Sequence, residues 1–311
     1  EQAEAGNQEF IEYLKTSRPS TYGTVLTTHD KLLSLDRPGS TIIIDEDIIS
    51  SLLPINTTTL EDLHSMAEQV SNMDTRDTLT SLYNFADNAG LNLVTPMPSY
   101  GGIKTSKLES YILADKISTN VLGFLNCEFF VKHNTDSKKG IVHYIAKRNL
   151  PEKQKIIILS ATANESIYKW LFGDRVEFID IGNVEPKGKI EQYPQRSYSR
   201  FSLDSDEKLA KIAKALTVGS KVITYKSKQE EFNAVTTFGA TEGLDMFKGE
   251  NIAVIGTPHV NPITYILLAN ALGKKPRCND TRTTMQYTKV KRNGYEFYFN
   301  TFSNDESLRE I

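Results

Sequence analysis

Apolar residues along the chain gather into short aliphatic runs, separated by stretches with helical spacing. Thr41-Ile42-Ile43-Ile44 and Ile156-Ile157-Ile158-Leu159 lack the alternation of a half-exposed strand. Such runs suit parallel strands covered on both faces. Residues 24–27 read as a further short strand, leading into a helical turn over 29–35. Arg37-Pro38-Gly39-Ser40 is turn chemistry. Between 58 and 70, Leu60, Leu63, Met66, Ala67 and Val70 recur on one helix face, with Thr57, Thr58 and Thr59 available as caps. A second helix is predicted over 79–89, stopping at Gly90, and a third over 107–125. Residues 128–132 and 141–146 alternate like the strands of a hairpin.

The second half repeats this alternation. Strand 155–159 is followed by a helix over 164–172 and a strand over 176–181. Residues 182–188, with Pro186 and Gly188, form the best linker. Strand 190–193, helix 205–216 and strand 221–225 come next, then strand 251–256 and helix 262–272. A hairpin over 285–290 and 295–302 turns at Arg292-Asn293-Gly294. Buried strands alternating with helices in both halves predict an α/β fold, and 311 residues is the length of about two domains.

Composition narrows the class. Lys plus Arg number 36 against 39 Asp plus Glu, a net charge of -3, which disfavours a histone-like binder but leaves room for a local basic groove. Residues 1–155 hold 15 cations against 20 anions, and residues 156–311 hold 21 against 19. No apolar run approaches the roughly 18 residues of a membrane span. Cys127 and Cys278 form neither a disulfide framework nor a metal site, as expected for a cytoplasmic protein in a reducing compartment.

Three segments carry candidate chemistry. Asp45-Glu46 ends a buried strand, where open α/β sheets bind ligands. One carboxylate there can hold Mg²⁺ and its neighbour can deprotonate a water, although a plain acidic loop or helix cap has the same composition. Ser160-Ala161-Thr162 ends a second buried strand with two hydroxyls and can serve as a relay or as a helix cap. The third is Thr237-Phe238-Gly239-Ala240-Thr241-Glu242-Gly243-Leu244-Asp245, whose glycines allow close approach to a phosphate or ribose. Lys226, Lys228, Lys289, Lys291 and Arg292 can supply phosphate contacts, and Tyr193, Arg196 and Tyr198 stacking.

In this order the segments resemble the superfamily 2 helicases and translocases, as scattered motifs over most of the chain. Thr27-Thr28-His29 with Leu32 is similar to a nucleic-acid-contacting motif that precedes the acidic strand in some members. Asp45-Glu46 resembles the start of D-E-x-[DH], and Ser160-Ala161-Thr162 reproduces S-A-T. Val222-Ile223-Thr224-Tyr225 falls where the first strand of the second motor domain belongs. Thr237, Gly243 and Asp245 are in register with T-x-x-x-x-[RK]-G-x-D.

The resemblance implies two RecA-like parallel-sheet domains, 1–184 with a helical insertion at about 57–125, and 185–311. It implies an ATP-dependent nucleic-acid helicase with ATP and Mg²⁺ between the domains. Asp45 would organise the metal, Glu46 activate water, and Ser160 and Thr162 couple hydrolysis to closure. Gly243 and Asp245 would face the nucleotide, while Thr27, Thr28, His29, Thr224 and Thr237 contact single-stranded or partly duplex nucleic acid, DNA favoured. A double-strand translocase that does not unwind, or a catalytically silent nucleic-acid-binding scaffold, are the alternatives.

Ile48 stands where the family has Asp or His, and Glu242 where it has a base. Neither G-x-x-x-x-G-K-[ST] nor Q-x-x-G-R-x-x-R occurs. Both are expected outside these 311 residues, before Thr27 and after Ile311. From Glu46 to Ser160 is 114 positions, a surplus that could hold a wedge or guide for nucleic acid.

Overall fold

The computed structural model describes residues 25–34, 38–100, 103, 108, 120–182, 188–241, 244–276, 285–292, 295–302 and 304–311. In chain order, α1 (His29–Leu32) precedes β1 (Thr41–Asp45), α2 (Ile49–Leu52) and β2 (Ile55–Thr59). Then come α3 (Leu60–Gln69), α4 (Met73–Asn88), β3 (Val94–Pro96) and α5 (Asn120–Phe124). Strands β4 (Phe129–His133), β5 (Ile141–Ile145) and β6 (Lys155–Leu159) lead to α6 (Glu165–Phe172), α7 (Arg200–Ser205) and α8 (Glu207–Leu216). Strands β7 (Lys221–Thr224), β8 (Thr236–Thr237) and β9 (Ile252–Val254) precede α9 (Pro262–Ala271). The chain closes with β10 (Gln286–Arg292), β11 (Tyr295–Thr301) and α10 (Glu306–Glu310).

The fold is mixed α/β. Two sheets are parallel, β1-β6 and β8-β7-β9, and two are antiparallel, β2-β5-β4-β3 and β10-β11. Parallel neighbours need a crossover connection, and β7 reaches both β8 and β9 through such connections. The apolar side chains of α2, α6 and α9 gather with Ile42, Ile44, Ile156 and Ile158 on one face of the first parallel pair. Alternation along a strand sends the intervening residues to the opposite face. There Ile43 is 66% exposed, Ile157 36% and Leu159 54%. The expected burial on both faces is therefore corrected to burial on one.

The described residues of the stretch expected to be a helical insertion form a layer of helices on an antiparallel sheet. Its helices form for local reasons. Thr59 caps α3 by accepting from Asp62 N (3.1 Å), while its own hydroxyl donates to the Asp62 carboxylate (2.9 Å). Asn72 caps α4 by accepting from Thr75 N (2.9 Å), which starts that helix at Met73, ahead of the Leu79 that its apolar stripe suggests. Leu63, Met66, Leu79 and Leu82 then pack on Phe124, Phe130 and Tyr144. Each such side chain, fully buried, stabilises the layer by about 1.5–3 kcal/mol. At the far end of α4 the buried Lys132 ammonium donates to the Asp87 carbonyl, filling an orphan acceptor of the last turn. Cys127 lies in the same core, and burial pushes its thiol up to about 12, which makes it a packing residue.

Several expected elements end differently. Among the described residues, 25–27, 176–181 and 190–193 pair with no neighbouring strand and form none, and residue 24 of the first expected strand lies outside them. Asp206 accepts from Lys208 N and Leu209 N (2.9 and 3.1 Å) and so starts α8 two residues late, splitting off α7. Of the helix expected over 107–125, residues 107 and 109–119 lie outside the described residues, as do the linker residues 183–187 and the turn residues 293–294. Helix α9 packs against Val131 and Ile145 as well as Leu32, so this core draws on residues from both sides of position 185.

The antiparallel layer carries a pH dependence. His133 and His143 lie diagonally on β4 and β5 with ring centroids 6.0 Å apart. His143 Nδ1 is 3.2 Å from the Thr57 hydroxyl, and His133 Nδ1 is 2.7 Å from Asn92 Oδ1. Burial, and then the neighbouring His133, hold the His143 pKa below its ordinary value. The unfolded chain therefore takes up this proton first as pH falls. The stabilisation is complete above the ordinary histidine value of about 6.5 and is lost as pH falls through the lowered native value. In His143→Gln, the stability difference between pH 7.5 and 5.5, read by urea unfolding, is expected to shrink. An unchanged difference would assign the acid sensitivity to other groups.

Candidate nucleotide and nucleic-acid site

The acids and the hydroxyls come together through one strand pairing. β1 and β6 run parallel in register from Thr41↔Lys155 to Asp45↔Leu159, and Glu46 N donates to the Leu159 carbonyl at 2.8 Å. Asp45-Glu46 and Ser160-Ala161-Thr162 thus stand side by side at the carboxyl ends of adjacent parallel strands. From the other side, His29 Nε2 donates to the Asp45 carbonyl at 3.1 Å. Thr28 caps α1 by accepting from Lys31 N (3.4 Å), and Arg148 pairs with Asp30 to hold that helix in place. Thr27 and Thr28 are exposed beside it.

Each plain structural role in this cluster is filled by a different residue. Asp47 accepts from Ile49 N (2.7 Å) and supports the α2 turn, so Asp45 and Glu46 are not needed as caps. Asn164 accepts from Ser166 N (2.9 Å) and caps α6, so Ser160 and Thr162 are not needed there either. Ser160 accepts from Thr162 N (3.2 Å), folding the tripeptide into a tight turn. Both acids are exposed, and among the described residues neither carboxylate has an ion-pair partner. Glu46 has φ +83°, a left-handed backbone that costs a non-glycine residue about 1–2 kcal/mol. Ile48 is fully buried, so the position where the motif would have Asp or His belongs to the core. Behind the acids, burial and then the charge of Asp47 push the Tyr168 phenol up to about 12.

The donor set is one of oxygens, which suit hard divalent cations. Among the described residues no group of three or more His, Cys, Asp or Glu could hold an ion by itself. Two adjacent exposed carboxylates fit Mg²⁺, which takes one or two carboxylates and completes its shell with phosphates and water. A groove of about 390 Å³ between Leu33 and residues 149–154 lies at the other end of β6, away from these acids.

In the second parallel sheet Thr224 and Thr237 are register partners on β7 and β8. Both are buried, and the Thr224 hydroxyl donates to the Ile255 carbonyl at 3.0 Å. Gly239 at φ +83° turns the chain after β8, with Ala240 N donating to the Thr237 carbonyl at 3.1 Å. Asp245 is exposed at the start of a 3₁₀ turn that the Lys221 ammonium holds through the Met246 carbonyl (2.6 Å). Gly243 lies outside the described residues.

Of the residues expected to stack or bind phosphate, Tyr198 packs against the core of the second sheet and Lys228 is held by Asp204 and Glu231, both at 2.7 Å. Sequence reasoning missed the pair Tyr287 and Tyr298. Their rings stack at 5.7 Å and 20° on the exposed face of the β10-β11 ribbon. The period-two patterns Tyr287-x-Lys289-x-Lys291 and Glu296-x-Tyr298-x-Asn300 were the available signal.

No protein-family profile matches this sequence, and no curated protein matches it. A solved structure titled "Structure of S. tokodaii Xpd4" superposes with a TM-score of 0.36 at 13% identity. The match covers 78% of this chain and 64% of that one, so this chain spans under two thirds of its length. Among the described residues no helix is long and apolar enough to cross a membrane.

Proposed function

We propose that this chain is the motor core of an ATP-dependent nucleic-acid helicase of the superfamily 2 kind, acting on single-stranded or partly duplex nucleic acid. One observation carries the reading. Segments far apart in sequence, His29, Asp45-Glu46 and Ser160-Thr162, meet at the carboxyl end of a parallel strand pair with their side chains free of ordinary capping duties. That is where open α/β sheets take ligands.

In this reading Asp45 holds Mg²⁺, which when bound neutralises charge on the phosphate oxygens of ATP. Glu46 accepts a proton from the attacking water and orients it. Ser160 and Thr162, one strand away, feel the position of the acids through the shared β1-β6 backbone. His29 ties the exposed Thr27 and Thr28 to the Asp45 main chain, so nucleic acid on that surface is coupled to the acid loop. Residues 185–311 supply the second motor sheet, with Thr224 and Thr237 at its carboxyl edge, while the turn of Asp245 stands by Lys221 at the amino end of β7. Helix α9 then fastens the two parts, since its apolar face joins the first core.

The test is nucleic-acid-stimulated ATP hydrolysis by the natural full-length protein, with strand displacement measured on a tailed duplex. Stimulated hydrolysis together with displacement is expected. Hydrolysis and translocation without displacement would make the protein a translocase, and binding without hydrolysis would make it a scaffold.

A further inference from the structure

A two-stranded ribbon is marginal in water and needs one face packed against something. In β10-β11 one face carries Val290, Phe297 and Phe299, the last with its ring 5.4 Å from that of His259. The ribbon is also pinned along the β11 edge. Gln192 Nε2 donates to the Tyr298 carbonyl (2.9 Å) and Tyr298 N donates to Gln192 Oε1 (3.0 Å), as a neighbouring strand would. Phe299 is itself 43% exposed, so its face is only partly covered, and the opposite face stands open beside it. It nevertheless carries two aromatic rings, Tyr287 at 55% and Tyr298 at 42% exposure, stacked nearly parallel.

The surroundings of that stack are cationic on balance. Alternation and register put Lys289 and Lys291 on the face with Tyr287 and Tyr298, against the single carboxylate of Glu296, which pairs with Lys289 at 2.5 Å. An apolar protein partner would call for a larger apolar patch at this place. Flat rings offered edge to edge with lysines fit a ligand built of flat bases on a phosphate backbone. The Gln192 clamp fixes the Tyr298 backbone, so little ordering remains to be done on binding.

We propose that this face of the ribbon is a base-stacking platform for single-stranded nucleic acid. Bases continue the Tyr287–Tyr298 stack, and Lys289 and Lys291 draw the phosphates. The inference rests on the nucleic-acid reading above and names a contact surface for it.

The experiment compares binding of fluorescent oligothymidylate with that of an abasic strand of equal length, using the natural full-length protein and its Tyr287→Leu/Tyr298→Leu and Tyr287→Phe/Tyr298→Phe variants. Wild type and the Phe variant are expected to favour the strand with bases by about ten-fold or more. The Leu variant is expected to lose that preference while binding the abasic strand as wild type does. Equal affinity of wild type for both strands, or a preference that survives in the Leu variant, overturns the platform but leaves the motor reading standing. Failure of every form to bind either strand overturns both. Concentration-dependent self-association of wild type that vanishes in the Leu variant, seen by sedimentation, also overturns the platform and makes the face a contact between copies.

Discussion

Replacing Glu46 by glutamine is expected to lower nucleic-acid-stimulated ATP hydrolysis by about 10²–10⁴-fold while leaving ATP binding in place. The amide keeps the shape of the carboxylate but cannot take the proton of an attacking water. Asp45, the carboxylate proposed to hold Mg²⁺, stays intact in this variant. The backbone makes the prediction sharper. Glu46 sits at φ +83°, where glycine rests without strain and a side chain does not. Glu46→Gly should therefore raise stability by about 0.5–1 kcal/mol, even though it too loses hydrolysis. Among the described residues the Glu46 side chain has no ion-pair partner, so strain kept there accords with the proposed chemistry. Steady-state hydrolysis and urea unfolding of the two variants check both halves. A kcat within two- or three-fold of wild type in Glu46→Gln would remove Glu46 from the mechanism. A Glu46→Gly variant less stable than wild type would show that the carboxylate is held by contacts in the fold.

Gly256→Ala is expected to destabilise the second parallel sheet by about 2–4 kcal/mol. A Cβ at this position would stand 2.5 Å from Cε2 and 2.7 Å from the hydroxyl oxygen of Tyr225, and the backbone has φ +104°. The ring cannot swing aside freely. Its hydroxyl donates to the Thr257 carbonyl and accepts from Thr257 N, both at 3.1 Å, and Phe238 packs edge-on at 5.2 Å. The Arg200 guanidinium covers the ring at 5.5 Å. Urea unfolding followed by circular dichroism reads the loss. Tyr225→Leu in the same chain should recover the part due to the clash but not the part due to φ, a coupling that a double-mutant cycle isolates. A change below about 0.5 kcal/mol would mean that β9 shifts easily relative to β7.

The hydrophobic pattern was most informative where a segment's partner lies close by or where one face has to be buried. Strand positions 41–45 and 155–159 and the helices near 60–69, 165–172 and 262–271 follow from their own residues, to within a few positions. It was least informative where an extended segment depends on a distant neighbour. Residues 190–193 have the composition of a strand, yet the Gln192 side chain, and not a paired backbone, meets β11 at Tyr298. The strand β2 was hidden because Thr57, Thr58 and Thr59 look like caps. Thr59 does cap α3, and all three also pair with residues 141–143 of β5.

The candidate site divides the same way. That Asp45-Glu46 and Ser160-Ala161-Thr162 end aliphatic strands is legible along the chain. Their adjacency is not, since it depends on a pairing across the 109 residues between β1 and β6, many of which pack in a layer of their own. The capping alternatives for these acids and hydroxyls could not be weighed without seeing Asp47 and Asn164 take those roles. Tyr287 and Tyr298 are unremarkable tyrosines until antiparallel register places them on one face.

Residue order alone was enough for an α/β chain with aliphatic strands that end in acids and hydroxyls, because side-chain periodicity and caps act over a few residues. Pairing, coverage and exposure were decided by contacts between segments far apart. They left one face of the first parallel pair open, moved α9 into its core, and turned an expected helical insertion into helices on a sheet. Those outcomes follow from which apolar faces find one another in three dimensions, and the free acids and the exposed tyrosine stack are what that packing leaves at the surface.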